Sequence, residues 1–297
     1  MINAMMDKVL NTISKEKLIE SMSKILNCTN AAIEVFAYDL RNINRNTNVD
    51  EINLERFFDF IGLDVSNKKK LFELNRFDSI IVSHLTSRIE NIEFCKKPLL
   101  NLFDALSSAT ELSQFLELEG LKFIRKAKKL ITIYNGQEVD WGNFRQCGNM
   151  TSNAAMLKRR LWGGKYAADR CVNGFLFNDC IWDDGNVKHI TRCPEIIQDI
   201  CCVLGRQDIV MKWVEKAKPC VICFRGRVAD VIIDERTKYR TEKSKVYYFY
   251  KQALYYIVMK KWGFWDPRFH NPIIRLKDDL NVSDEDIVAC YYIEQRV

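Results

Sequence analysis

Apolar residues recur at three- and four-residue spacing through the first 130 residues, and that spacing is lost near residue 134. This change of period is the strongest constraint on the fold, because 3–4 spacing belongs to helices and alternation belongs to strands. Lys15 to Leu26 places Leu18, Ile19, Met22, Ile25 and Leu26 on one stripe. Asp50 can cap a helix through Ile52, Leu54, Phe57, Phe58 and Ile61, which Gly62 then stops. Further helices are expected over Leu99–Leu106, through Leu112, Phe115, Leu116 and Leu118, and over Leu121–Ile131. The last would carry Lys122, Arg125, Lys126, Lys128 and Lys129 on one solvated face.

Tyr134 to Asn153 holds Gly136, Gly142, Gly148 and several Asn without periodicity, and is expected as a domain boundary. Beyond it, helix and strand signals mix. Short strands are expected at Cys171–Phe177, Cys180–Trp182, Cys220–Phe224, Val228–Ile233 and Val246–Tyr250. Pro194–Leu204 fits a helix with Pro in its first turn and Gly205 past its end, and Gln207–Lys216 a second. The expected class is α+β: an all-α helical domain over 1–140, for association or partner contact, followed by a basic α+β domain over 150–297.

Charge sharpens that division. Residues 1–150 carry 20 Lys/Arg and 20 Asp/Glu, and residues 151–262 carry 21 against 12. Residues 263–297 carry 4 against 7, for a total of +6. A basic segment interleaved with aromatics attracts polyanions. The expected nucleic-acid contacts are Lys158, Arg159, Arg160 and Lys165, then Arg225 and Arg227 around Gly226. Arg236, Lys238, Arg240, Lys243 and Lys245 follow on a charged loop. Guanidinium groups hold phosphate oxygens in pairs, whereas lysines act as point charges. Tyr247, Tyr248, Phe249 and Tyr250 offer either stacking surfaces or core.

The second half also has an order of motifs. Phe175-Leu176-Phe177 precedes Asp184-Gly185, then Asp199-Ile200-Cys201-Cys202-Val203-Leu204-Gly205, then Lys212-Trp213-Val214 ahead of Lys218. Val246-Tyr247-Tyr248-Phe249 then runs into Ala253-Leu254-Tyr255-Tyr256-Ile257-Val258. Over about 172–262 this order resembles the N-terminal domain of the baculovirus repeated open reading frame (Bro) proteins. Asn186-Val187-Lys188 and Lys251-Gln252-Ala253 depart from that pattern, and Gly263 and Pro267 interrupt its last helix. The resemblance implies a DNA-binding domain of viral type with a regulatory role and no catalysis, in the host nucleus or the virion.

Other chemistry is thinly represented. Cys220 and Cys223 form a CxxC, and His189 with Cys193 is the available second pair for zinc. Val-Ile between the cysteines suits a buried strand, so no metal is expected. Trp162-Gly163-Gly164-Lys165 is not a phosphate loop, because the upstream Gly and the following Ser/Thr are missing. Asp179, Asp183 and Asp184 are the candidates for a metal-dependent nuclease, and a capsid-associated assembly protein is the other alternative. No cofactor motif is present, and association through the helical half is expected. The apolar runs are too short to cross a bilayer, the start lacks a signal peptide, and the eleven Cys read as reduced intracellular thiols.

Overall fold

The structure, a computed structural model, describes residues 8–39, 42–89, 97–146, 149–150, 152–163, 169–185, 187–234 and 236–293. Strand β1 (Val9–Leu10) leads into helices α1 (Lys15–Leu26), α2 (Asn30–Tyr38), α3 (Leu54–Phe60) and α4 (Lys68–Asn75), then strand β2 (Ser79–Arg88). Helices α5 (Leu102–Ser107) and α6 (Glu111–Leu118) precede strands β3 (Leu121–Lys126), β4 (Lys129–Tyr134) and β5 (Gln137–Glu138). Next come β6 (Arg145–Gln146), β7 (Asn149–Met150), α7 (Ser152–Leu157) with a π-helical extension Lys158–Trp162, and β8 (Asn173–Phe175). Helices α8 (Lys188–Arg192), α9 (Glu195–Leu204) and α10 (Gln207–Lys216) follow. The chain closes with β9 (Lys218–Arg227), β10 (Val231–Ile233), α11 (Glu242–Lys261), α12 (Pro267–His270), β11 (Ile273–Leu276) and β12 (Ile287–Tyr292).

The architecture mixes helix and sheet, and the chain divides into two compact units, each gathered from separate stretches. Unit 1 takes Met1–Ser83, Gly174–Ile181 and Cys223–Arg275; unit 2 takes His84–Asn173, Trp182–Ile222 and Leu276–Val297. The first 140 residues are therefore not purely helical, since β1, β2, β3, β4 and β5 fall among them. The expected boundary at Tyr134–Asn153 lies wholly inside unit 2.

In unit 1, α1 is capped by Ser14, whose hydroxyl accepts from the Lys17 amide, and ends on Asn27 in the left-handed region. All five residues of its expected stripe are buried. Asn53, rather than Asp50, caps α3. The aromatic stretch Val246–Tyr250, expected as a strand, lies inside the 20-residue α11, capped by the reciprocal pair Thr241 and Ser244. Most of α11 is buried, and apart from its ends only a narrow strip through Lys243, Tyr247 and Lys251 reaches the surface, so the helix lacks a broad polar face. Phe57, Phe58, Phe77, Phe249 and Tyr250 pack in a continuous ring cluster, and the Tyr250 hydroxyl donates to the Asn75 carbonyl at 2.7 Å. Gly174 permits β8 to lie against β2, because a Cβ there would sit 2.6 Å from the Ser83 carbonyl oxygen.

In unit 2, the segment expected as a basic helix is the β3–β4 hairpin, registered from Leu121 opposite Tyr134 to Lys126 opposite Lys129. Leu121 and Phe123 point in while Lys122 and Ile124 point out. That alternation is the strand period, and Ala127 turns the chain with a φ of 52°. The core holds Phe103, Leu106, Leu116, Trp141, Leu157, Ile197, Ile200 and Trp213. Two indoles find partners inside it: Trp141 donates to Thr132 Oγ1 at 3.1 Å and Trp213 to Ser87 Oγ at 2.9 Å.

Candidate nucleic-acid interface

Divided by unit, the charge is uneven in a way that chain position conceals. Unit 1 contains 23 Lys/Arg against 18 Asp/Glu, and unit 2 contains 22 against 21. The excess belongs to unit 1, and several of that unit's cations gather beside one face of α11.

Lys243, Tyr247 and Lys251 lie four residues apart on that helix, so they share a face. The Lys243 ammonium lies 5.9 Å from the Phe72 ring centre and 5.7 Å from that of Tyr247, and the two rings meet edge to face. Phe72 belongs to α4, whose first residues are the exposed Lys68, Lys69 and Lys70. On the other side, Lys251 Nζ donates to the Asp50 carbonyl. The Asp50 carboxylate accepts from Lys238 at 2.6 Å and from the Tyr239 hydroxyl, and faces Arg236 at 3.5 Å. Burial pushes Asp50 upward, yet these donors and charges outweigh it and hold the carboxyl below its usual range. Burial lowers Lys251.

Carboxylates offset part of this charge. Asp50 serves Arg236 and Lys238, Glu55 meets Lys68 at 2.6 Å, and Glu73 approaches Lys69 at 4.0 Å. The exposed Arg240 donates to the Thr237 carbonyl at 2.9 Å, which braces the loop and leaves its charge outward. The lysine triplet went unremarked in sequence because the first 150 residues balance to zero. The signal was present as three consecutive lysines after Asn67.

Several expected contacts fall away. Lys245 is buried and donates to the Val228 carbonyl at 3.0 Å. Arg225 and Arg227 lie within β9 rather than on a turn; Arg225 Nε is buried, and Arg227 pairs with Asp230 at 3.0 Å. In unit 2, Arg160 is held by Glu195 at 3.0 Å, Asp169 at 3.4 Å and Asp199 at 3.7 Å, so it has no charge to spare. Lys158 and Arg159 are exposed on unit 2, and Lys165 lies outside the described residues. Of the aromatic run, Tyr248, Phe249 and Tyr250 are buried, which removes it as a stacking surface.

The zinc constellation does not form. Cys220 and Cys223 stand three apart on β9, so their side chains leave opposite faces, and Cys223 Sγ lies 3.6 Å from Ser83 Oγ. Burial pushes the Cys193 thiol up to about 12, and His189 pairs with Glu195 at 2.9 Å. Asp179 is held by Lys260 at 2.7 Å, while Asp184 is buried and Asp183 exposed. Among the described residues no cluster of three or more His, Cys, Asp or Glu is arranged to hold a metal ion, and none of their helices is long and apolar enough to cross a membrane. No protein-family model, no curated protein and no solved structure matches the chain.

Proposed function

We propose that the protein binds nucleic acid, DNA before RNA, through unit 1, by charge contact with the phosphate backbone and without catalysis. One observation carries the reading. Lys243 lies against both Phe72 and Tyr247, joining the Lys68–Lys70 end of α4 to the face of α11 that the Arg236–Arg240 loop flanks. The cations there outnumber the carboxylates that touch them, which leaves charge for phosphates. Phe72 and Tyr247 are covered by Lys243, so they brace the cation and do not stack on bases. The resemblance of residues 172–262 to the Bro N-terminal domain supplies a setting: transcription, replication or genome packaging in a virus.

The test is fluorescence anisotropy of labelled duplex DNA and RNA over a salt series. A steep decline with salt is expected, and replacing Lys68, Lys69 and Lys70 together by Ala should reduce the log–log slope by up to about 3, near 0.9 per phosphate contact. A wild-type slope near zero defeats the proposal.

A further inference from the structure

Unit 2 contains a cavity of about 520 Å³, within the range of roughly 300–1,000 Å³ that small-molecule sites occupy. Most of its wall is apolar, with Leu99, Leu102, Leu112, Val172, Ile196 and Trp213 prominent. Strand β2 supplies part of the polar lining. His84, Thr86 and Arg88 alternate along that strand and share a face; each is half-buried, whereas the intervening Leu85 and Ser87 are buried.

The charges around the cavity are not equally provided for. Lys97 pairs with Glu111 at 2.7 Å. Arg160 is held by Asp169 and Glu195, which line the same space. Arg88 has no carboxylate within ion-pairing distance among the described residues. His84 is also uncharged: burial draws its pKa down to about 4. Its Nδ1 lies 2.7 Å from the Asn173 carbonyl, which can only accept, so Nδ1 carries the hydrogen. Among the described residues Arg88 is thus a permanent cation in a mostly apolar wall with no carboxylate paired to it, since Glu111, Asp169 and Glu195 of the same lining are engaged by Lys97 and Arg160; an anion entering the cavity would relieve that arrangement.

We propose that the cavity binds an apolar molecule bearing a single anionic head, with the head on Arg88 and the body against Leu99, Leu102, Ile196 and Trp213. A guanidinium matches a carboxylate bidentately, and Thr86 on the same strand face adds a hydroxyl donor. Three probes of one chain length separate charge from apolar fit: decanoate, 1-decanol and decylamine.

Isothermal titration of the full chain, below the concentration at which the probes aggregate, should show one equivalent of decanoate bound. Arg88→Met keeps bulk and removes charge; it should weaken decanoate about tenfold or more and leave decanol unchanged. Ala105→Phe, on the α5 side of the cavity, should abolish binding of both, and Ala109→Trp at an exposed lining position reads the same block if the first variant does not fold. The proposal is overturned if wild type shows no saturable decanoate binding. It is equally overturned if decanol or decylamine binds as tightly as decanoate, or if the Arg88 and blocking variants change nothing.

Discussion

The carboxylate of Asp50 holds the ammonium of Lys238 at 2.6 Å across 188 residues of sequence. The same carboxylate takes the Tyr239 hydroxyl and faces Arg236, so one acidic side chain fastens the basic loop to the N-terminal part of unit 1. It also competes with any phosphate for those two cations. Asp50→Asn should therefore tighten nucleic-acid binding a few-fold at low salt while lowering stability by about 1 kcal/mol, since these groups are partly exposed. Anisotropy and urea unfolding of one preparation read both effects, and weaker binding with undiminished stability would contradict the competition.

Lys158 and Arg159 provide the matching negative test. They are exposed on unit 2, where the net charge is close to zero. Replacing both by Ala should leave affinity and salt slope within about twofold of wild type, whereas replacing Arg240 and Lys243 should not. Equal losses in the two double variants would show that the interface is not confined to unit 1.

Gly174→Ala tests the close approach of β8 to β2. The added methyl would lie 2.6 Å from the Ser83 carbonyl oxygen and 2.8 Å from Val82 Cγ1, and the first of these is backbone. A stability loss of about 1–3 kcal/mol is expected, read as a lower unfolding midpoint in urea. A neutral substitution would mean that the strands separate without cost.

His84 sets a pH dependence. The native state resists protonating it until about pH 4, whereas the unfolded chain takes that proton near 6.5. Below 6.5 the unfolded state binds more protons, so stability falls with pH toward 4 and this contribution is flat above 7. The slope from this one group is at most about 1.4 kcal/mol per pH unit. Urea unfolding of wild type and His84→Gln between pH 7.5 and 4.5 isolates it: wild type should lose stability relative to the variant as pH falls.

Local signals were legible wherever a helix has one wet face. The stripe of α1, the limits of α10, and α9 between Pro194 and a left-handed Gly205 all follow from spacing and caps. Two segments misled in opposite directions. Lys122 to Lys129 places cations at helical spacing, yet Leu121, Phe123, Leu130 and Thr132 are the buried positions and they alternate along paired strands. Val246 to Tyr250 is rich in strand formers, yet it packs as helix with burial over most of its surface, and the Thr241–Ser244 cap was its local signal. The candidate interface was half visible. The Arg236–Arg240 loop stood out by density, while Lys68–Lys70 depend on contacts between distant segments, such as Phe72 with Tyr247, that no local pattern encodes. The pairings that silence Arg160 and Lys245 are hidden for the same reason.

The central position of α11 in unit 1 has a consequence for biogenesis. Helices α1, α2 and α3 pack on it, yet it lies some 180 residues or more downstream of them. During synthesis the first 83 residues leave the ribosome long before their organising partner exists, with Phe36, Phe57 and Phe58 uncovered. Ribosome-bound chains truncated before residue 242 should accordingly recruit chaperones and be readily cleaved by protease, and protection should arrive abruptly once residue 261 clears the exit tunnel.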